Sequence, residues 1–141
     1  MGFQGLVQFA NVLKRARDAS VNNAGIFIRK IALEAYTGIT KLNPVDTGRS
    51  RANWQITVDN PQISEIDGPD DKGFWTSEFQ KKQTEARQRI DSLRGGNALG
   101  RIIFIGNTVD YIFQLEGGRS QRGGHMVKLT MERLNAKYGN I

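Results

Sequence analysis

Between residues 24 and 39 the apolar side chains recur at a helical spacing. Ala24, Phe27, Ile28, Ile31, Ala32, Ala35, Tyr36 and Ile39 share one face, the mark of a helix laid on a core. Asp18 or Ser20 can cap its start. Asn43-Pro44 ends it, because a residue before proline is pushed out of the helical region. Soon after comes "NWQITVDN", in which Trp54, Ile56 and Val58 alternate with Gln55, Thr57 and Asp59. That period of two predicts a half-buried strand closed by Asn60-Pro61. A long helix is thus joined to a strand by the few residues of "NPVDTGRSRA".

Other segments follow the same logic. Residues 5–18 read as a helix, with Leu6, Phe9, Val12 and Leu13 on one face. Residues 60–100 open with the acidic, turn-rich "DNPQISEIDGPDDKG". A charged helix follows, capped by Thr76 or Ser77, with Glu78–Lys82 and Glu85–Arg89 four apart. Its apolar residues are Phe79, Ala86, Ile90 and Leu93, a narrow stripe that either lies on the body or projects from it. "RGGNALG" reads as a flexible joint. "RIIFIGN" predicts a buried strand and "DYIFQLEGG" a strand or short helix. "HMVKLTMERLNAKY" predicts a closing helix with Met126, Val127, Leu129 or Thr130, Leu134 and Tyr138 near one side. The order of elements predicts an α+β fold: N-terminal helices, a small antiparallel β-sheet and a C-terminal helix. Residues 1–141 read as a single domain, with 60–100 a partly helical, variable insertion.

Composition removes several function classes. There is no cysteine and one histidine, so disulfides and thiolate sites are excluded and a transition-metal site is disfavoured. No apolar run nears the roughly 18 residues that span a bilayer. The basic residues of "MGFQGLVQFANVLKRAR" follow the apolar ones, against the order of a secretory signal. These observations predict a soluble, intracellularly made protein without membrane contact. The formal net charge of +6 permits contact with DNA without requiring it.

The connection carries Asp46-Thr47-Gly48, the tripeptide on which aspartic proteases present a catalytic carboxylate. One such tripeptide would need a homodimer, because the chemistry uses two carboxylates sharing a proton. Arg49 and Arg51 would hold Asp46 ionised, against that sharing. The better reading is a turn: Pro44 fixes φ, Asp46 or Thr47 bonds back to the backbone, and Gly48 takes a positive φ. A salt bridge from Asp46 to Arg49 or Arg51 is an option. In "GGRSQRGGH", Gly118 and Gly123 have the spacing of P-loop glycines, but Gly124 and His125 stand where lysine and serine or threonine are needed. Ser120 near His125 lacks a nucleophile-elbow context, and His125 reads as the start of the last helix. Asp67, Asp70 and Asp71 do not form an EF-hand loop. Trp54 and Trp75 read as core or interface anchors. No catalytic, cofactor-binding or metal-binding residue is predicted.

Two separated segments agree on one family. "NPVDTGRSRANWQITV" resembles the "TPVDTGRARANW" segment of phage neck and minor tail proteins of the HK97 gp10-like group and the lambda tail-completion protein Z group. "IGNTVDYIFQLEGGRSQRGGHMVKLTMERL" is similar to that family's second block through Asn107, Tyr111, Leu115, Glu116, Gly118, Ser120, Gly124, Met126 and Val127. Residues 60–100 lie outside the resemblance, and Arg122-Gly123 replaces the family's frequent Ala-Pro. The resemblance implies a non-enzymatic virion protein at the head–tail junction. It would be made in the host cytoplasm and assembled into a homo-oligomeric, hexameric ring between a head-closure or connector protein and the tail terminator or tail tube. On that reading the interface candidates are Pro44, Asp46, Thr47, Gly48, Arg49, Arg51, Trp54, Tyr111, Glu116, Arg119, Ser120 and Arg122. A non-specific DNA-binding module, using Arg49, Arg51, Arg119 and Arg122 on phosphates, is the alternative. A homodimeric aspartic protease is the remote one.

Overall fold

The computed structural model describes residues 7–8, 21–93, 98–118 and 124–139. The fold is α+β, and its element order is β1 (Val7–Gln8), α1 (Val21–Leu42), α2 (Arg49–Ala52), β2 (Gln55–Val58), α3 (Lys72–Asp91), β3 (Ile103–Gly106), α4 (Ile112–Glu116) and α5 (Met126–Tyr138).

Helix α1 forms where the apolar stripe predicts it. Ala24, Ile28, Ile31, Ala32, Ala35, Tyr36 and Ile39 are buried. Their spacing keeps them on one face as the helix turns. Thr40 donates its hydroxyl to the Tyr36 carbonyl at 2.9 Å in the last full turn.

The sheet is antiparallel with order β1-β3-β2. Ile56 pairs with Ile105 and Thr57 with Phe104. The central strand β3 is buried at all four positions, which explains its unbroken apolar run "IFIG". On β2, Ile56 is buried while Gln55 and Thr57 are partly exposed, as the alternation predicts. Ile56, Ile103 and Ile105 join α1, Trp54 and residues of α3 and α5 in one core.

Residues 7–8 depart from the helix expected over 5–18. Val7 and Gln8 pair with Ile105 and Phe104. A strand edge on β3 offers backbone hydrogen bonds, and here that pairing overrides the local helical spacing. The rest of the expected helix, the Asp18 and Ser20 caps and most of the "RGGNALG" joint lie outside the described residues.

Helix α3 starts earlier than its sequence cap suggests. Asp71, not Thr76 or Ser77, is the N-cap, accepting from the Gly73 amide at 3.2 Å. The earlier start brings Trp75 into the buried stripe with Ala86, Ile90 and Leu93, so α3 lies on the body instead of projecting. Its ion pairs are Glu78–Lys81 and Glu85–Lys82, three apart instead of four. Arg89 instead donates to the Ile56 carbonyl at 2.6 Å, tying α3 to β2. "DYIFQLEGG" resolves as the short helix α4. In α5 Thr130 is buried and Leu129 only partly so.

Candidate assembly interface

The Pro44–Arg51 connection is organised by Asn43, which is buried at the end of α1. Its amide nitrogen donates to the Pro44 carbonyl at 2.8 Å and to the Ser50 hydroxyl at 2.7 Å. Its amide oxygen accepts from the Trp54 indole at 2.8 Å. One side chain therefore closes the loop, anchors α2 and satisfies the only polar atom of a fully buried tryptophan.

Within the loop, Thr47 Oγ1 accepts from the Arg49 amide at 3.3 Å. Gly48 has φ of 101° and is the N-cap of α2. A Cβ there would sit 3.2 Å from Trp75 Cβ, so glycine is needed both for the left-handed turn and for the approach of α3. The expected turn at Asp46-Thr47-Gly48 is present. It leads into the one-turn helix α2 before the strand, since Ala52 donates back to the Gly48 carbonyl at 2.9 Å.

The two arginines are committed to the 60–91 segment. Arg49 bonds to Glu65, and the Arg51 guanidinium lies 4.3 Å from the Phe79 ring centroid, a cation–π contact. Asn53, also buried, donates to the Arg49 and Ile66 carbonyls at 2.9 and 3.3 Å and accepts from the Ile66 amide at 2.7 Å. Gly48, Arg49, Arg51 and Asn53 thus form the seat of the segment expected to be a variable insertion. Asp46 stays exposed on the loop. Trp54, expected at a partner surface, is wholly buried and packs in the core beneath the connection.

The second block meets the first at Ser50. Asn107 donates to the Ser50 carbonyl at 2.7 Å and accepts from the Val109 amide at 3.1 Å. Tyr111 lies beside Ser50 and Arg49. Burial pushes the Tyr111 hydroxyl above its ordinary pKa, against the opposing influences of Arg49 and Ser50.

Glu116 links α4 to α5 within the chain. Its two carboxylate oxygens accept from the Val127 and Lys128 amides at 2.9 and 3.1 Å. They thereby satisfy orphan donors at the start of α5 and complement the positive end of its dipole. His125 is the N-cap residue of α5, as expected, in a left-handed conformation with φ of 53°. Its amide donates to the Glu116 carbonyl at 3.1 Å. Gly124 has φ of 154°, and a Cβ there would fall 2.4 Å from the Leu115 carbonyl oxygen. Gly124 therefore packs tightly against the end of α4. Arg119, Ser120 and Arg122 lie outside the described residues.

Seven of the residues expected at an interface cluster around the connection (Pro44, Asp46, Thr47, Gly48, Arg49, Arg51 and Trp54), and Tyr111 lies beside them near Arg49. Asn43 and Asn53 were not expected as organisers. Asn43, beside a proline, reads first as a helix stop, and Asn53 reads as the first residue of the strand segment. Among the described residues, no group of three or more His, Asp or Glu side chains could hold a metal ion, and no helix is long and apolar enough to cross a membrane. Comparison with protein-family models, with curated proteins and with solved structures finds no match.

Proposed function

We propose that this chain is a structural subunit of a phage head–tail junction, a ring-forming neck or tail-completion protein that joins the DNA-filled head to the tail. The observation that carries this reading is the meeting of the two resembling segments. Far apart in sequence, they are joined by Asn107, which donates to the carbonyl of Ser50, 57 residues before it. A resemblance in two blocks gains weight when those blocks form one structural unit.

The geometry suits a rigid building block. The polar side chains of "NPVDTGRSRANW" are spent on internal bonds: Asn43 on Trp54, Thr47 on the turn, Arg49 and Arg51 on the 60–91 segment. Preorganised loops lose little entropy on docking, which suits a subunit repeated around a ring. The same bonds count against catalysis at Asp46-Thr47-Gly48, because Thr47 and Gly48 are occupied in starting α2. They also reduce the case for DNA binding through Arg49 and Arg51, both of which have partners within the chain.

An antibody against the purified chain tests the proposal on intact particles. The expected result is label at one site per virion, where tail meets head. Label along the tail shaft, on the capsid faces or absent from particles would refute it. Asp46→Ala is expected to alter assembly or folding and to remove no peptidase activity. A pepstatin-sensitive activity lost in that variant would overturn the non-enzymatic reading.

A further inference from the structure

We infer that Asp67-Gly68 is a site of spontaneous covalent modification, where the folded chain converts aspartate to isoaspartate and thereby loosens the start of α3. It is the one aspartate–glycine pair in the sequence, and asparagine–glycine does not occur. The reaction needs a backbone nitrogen to reach the carboxyl carbon of the preceding side chain. Glycine leaves that approach open because it carries no side chain. Asp67 and Gly68 are both exposed, so water reaches them. The Gly68 amide donates to Asp67 Oδ1 at 3.0 Å. The attacking nitrogen and the carboxyl it attacks are therefore already together, the arrangement by which proximity speeds an intramolecular step.

The chemistry needs only water. The Gly68 nitrogen gives up its proton to water and bonds to Asp67 Cγ, and the carboxyl hydroxyl leaves as water, closing a five-membered imide. A second water opens the ring. Breaking the Gly68 nitrogen's bond to Cγ restores aspartate. Breaking its bond to the Asp67 α-carbonyl carbon leaves the main chain running through Cγ, which is isoaspartate. One water leaves and one enters, with no change of oxidation state. Nearby aspartates are placed differently. The amides that follow Asp70 and Asp91, those of Asp71 and Ser92, donate to the Pro69 and Gln88 carbonyls at 3.0 Å each. The Asp59 carboxylate accepts from the Ile102 amide at 2.9 Å and from Arg101.

The position of the pair gives the conversion a structural effect. Ile66, just before it, is held on both sides by Asn53: its amide donates to Asn53 Oδ1 at 2.7 Å and its carbonyl accepts from Nδ2 at 3.3 Å. Pro69, just after it, accepts at its carbonyl from the Trp75 indole at 2.7 Å and from the Asp71 amide at 3.0 Å. Between these anchors Phe74 lies against Gly68, where a Cβ would fall 2.3 Å from Phe74 Cε1. Isoaspartate lengthens the main chain by one atom between two fixed points. The bonds at Pro69 hold the cap residue Asp71 and the buried Trp75, so the added atom is relieved by releasing the first turn of α3.

The purified full-length chain is aged folded in neutral buffer and, in parallel, unfolded in guanidinium. Trypsin then releases residues 52–72 as one peptide, because no lysine or arginine lies between Arg51 and Lys72. Electron-transfer fragmentation locates isoaspartate within it. The expected result is isoaspartate at residue 67, formed in the folded chain at least as fast as in the unfolded one. Asp59, Asp70 and Asp71, in the same peptide, are expected to stay aspartate. Asp67→Glu keeps Gly68 beneath Phe74 and is expected to form none. Amide hydrogen exchange in the first turn of α3 is expected to quicken in the converted wild-type fraction and to stay unchanged in Asp67→Glu aged alongside. No isoaspartate at 67 in the folded chain would overturn the site, as would a folded rate more than about tenfold below the unfolded one. Unchanged exchange in the converted fraction would overturn the loosening of α3.

Discussion

Replacing Asn43 with alanine removes three hydrogen bonds at once, of 2.7 to 2.8 Å, to Pro44, Ser50 and Trp54. The Trp54 indole is wholly buried, and its N–H loses its acceptor. An orphaned buried donor costs about 1–3 kcal/mol, and losing the Ser50 and Pro44 bonds adds about 1 kcal/mol each. The expected total is about 3–5 kcal/mol. For a domain of this size each kcal/mol lowers Tm by roughly 3–4 °C, so Asn43→Ala is expected to unfold about 10–20 °C lower. The assay is urea unfolding followed by far-UV circular dichroism, on a double-mutant cycle with Trp54→Phe. Phenylalanine keeps most of the ring but has no N–H to orphan. In that background Asn43→Ala is expected to cost about 1–2 kcal/mol less than in the wild type. Additivity within about 0.5 kcal/mol, or a total cost below about 1 kcal/mol, would refute the hub assigned to Asn43.

Other expectations follow from single contacts. Glu116→Ala leaves the Val127 and Lys128 amides without their acceptor and is expected to cost about 1–2 kcal/mol, or roughly 3–8 °C in a melting curve. An unchanged Tm would contradict the capping role. Gly48→Ala places a side chain at φ of 101° and against Trp75. A loss of more than about 1 kcal/mol is expected in the same urea titration. Tyr36 is buried with no partner for its hydroxyl, and burial, with the nearby Glu85 charge, raises its pKa well above the ordinary value. Its folded-state pKa lies above the unfolded one of about 10. Its stabilising contribution is therefore fully present below pH about 10 and is lost as pH rises beyond it. Tyr36→Phe is expected to flatten that alkaline decline and cost little near neutrality; a decline of unchanged slope would remove Tyr36 as its source.

Periodicity made much of this fold legible. The stripe from Ala24 to Ile39 and the alternation from Trp54 to Val58 each report a single buried face, and both elements form where that pattern requires. Residues 7–8 were misread because their fate depends on β3, about a hundred residues away, and not on their neighbours. The start of α3 was misplaced because Thr76 and Ser77 compete with Asp71 as caps, and only the packing of Trp75 under Gly48 decides between them. The turn at Gly48 was readable from local chemistry. The partners of Arg49 and Arg51 were not, since Glu65 and Phe79 reach them only after α3 folds back. Asn43, Asn53 and Asn107 look like ordinary loop residues, and their value as buried hydrogen-bonding hubs emerges from tertiary contacts alone.

The most direct test of the central claim is electron microscopy of lysates from the encoding phage with this gene inactivated. The account predicts filled heads and separate, complete tails that accumulate unjoined, and infectious particles restored when the wild-type chain is supplied. Joined, infectious particles made without the protein would contradict it.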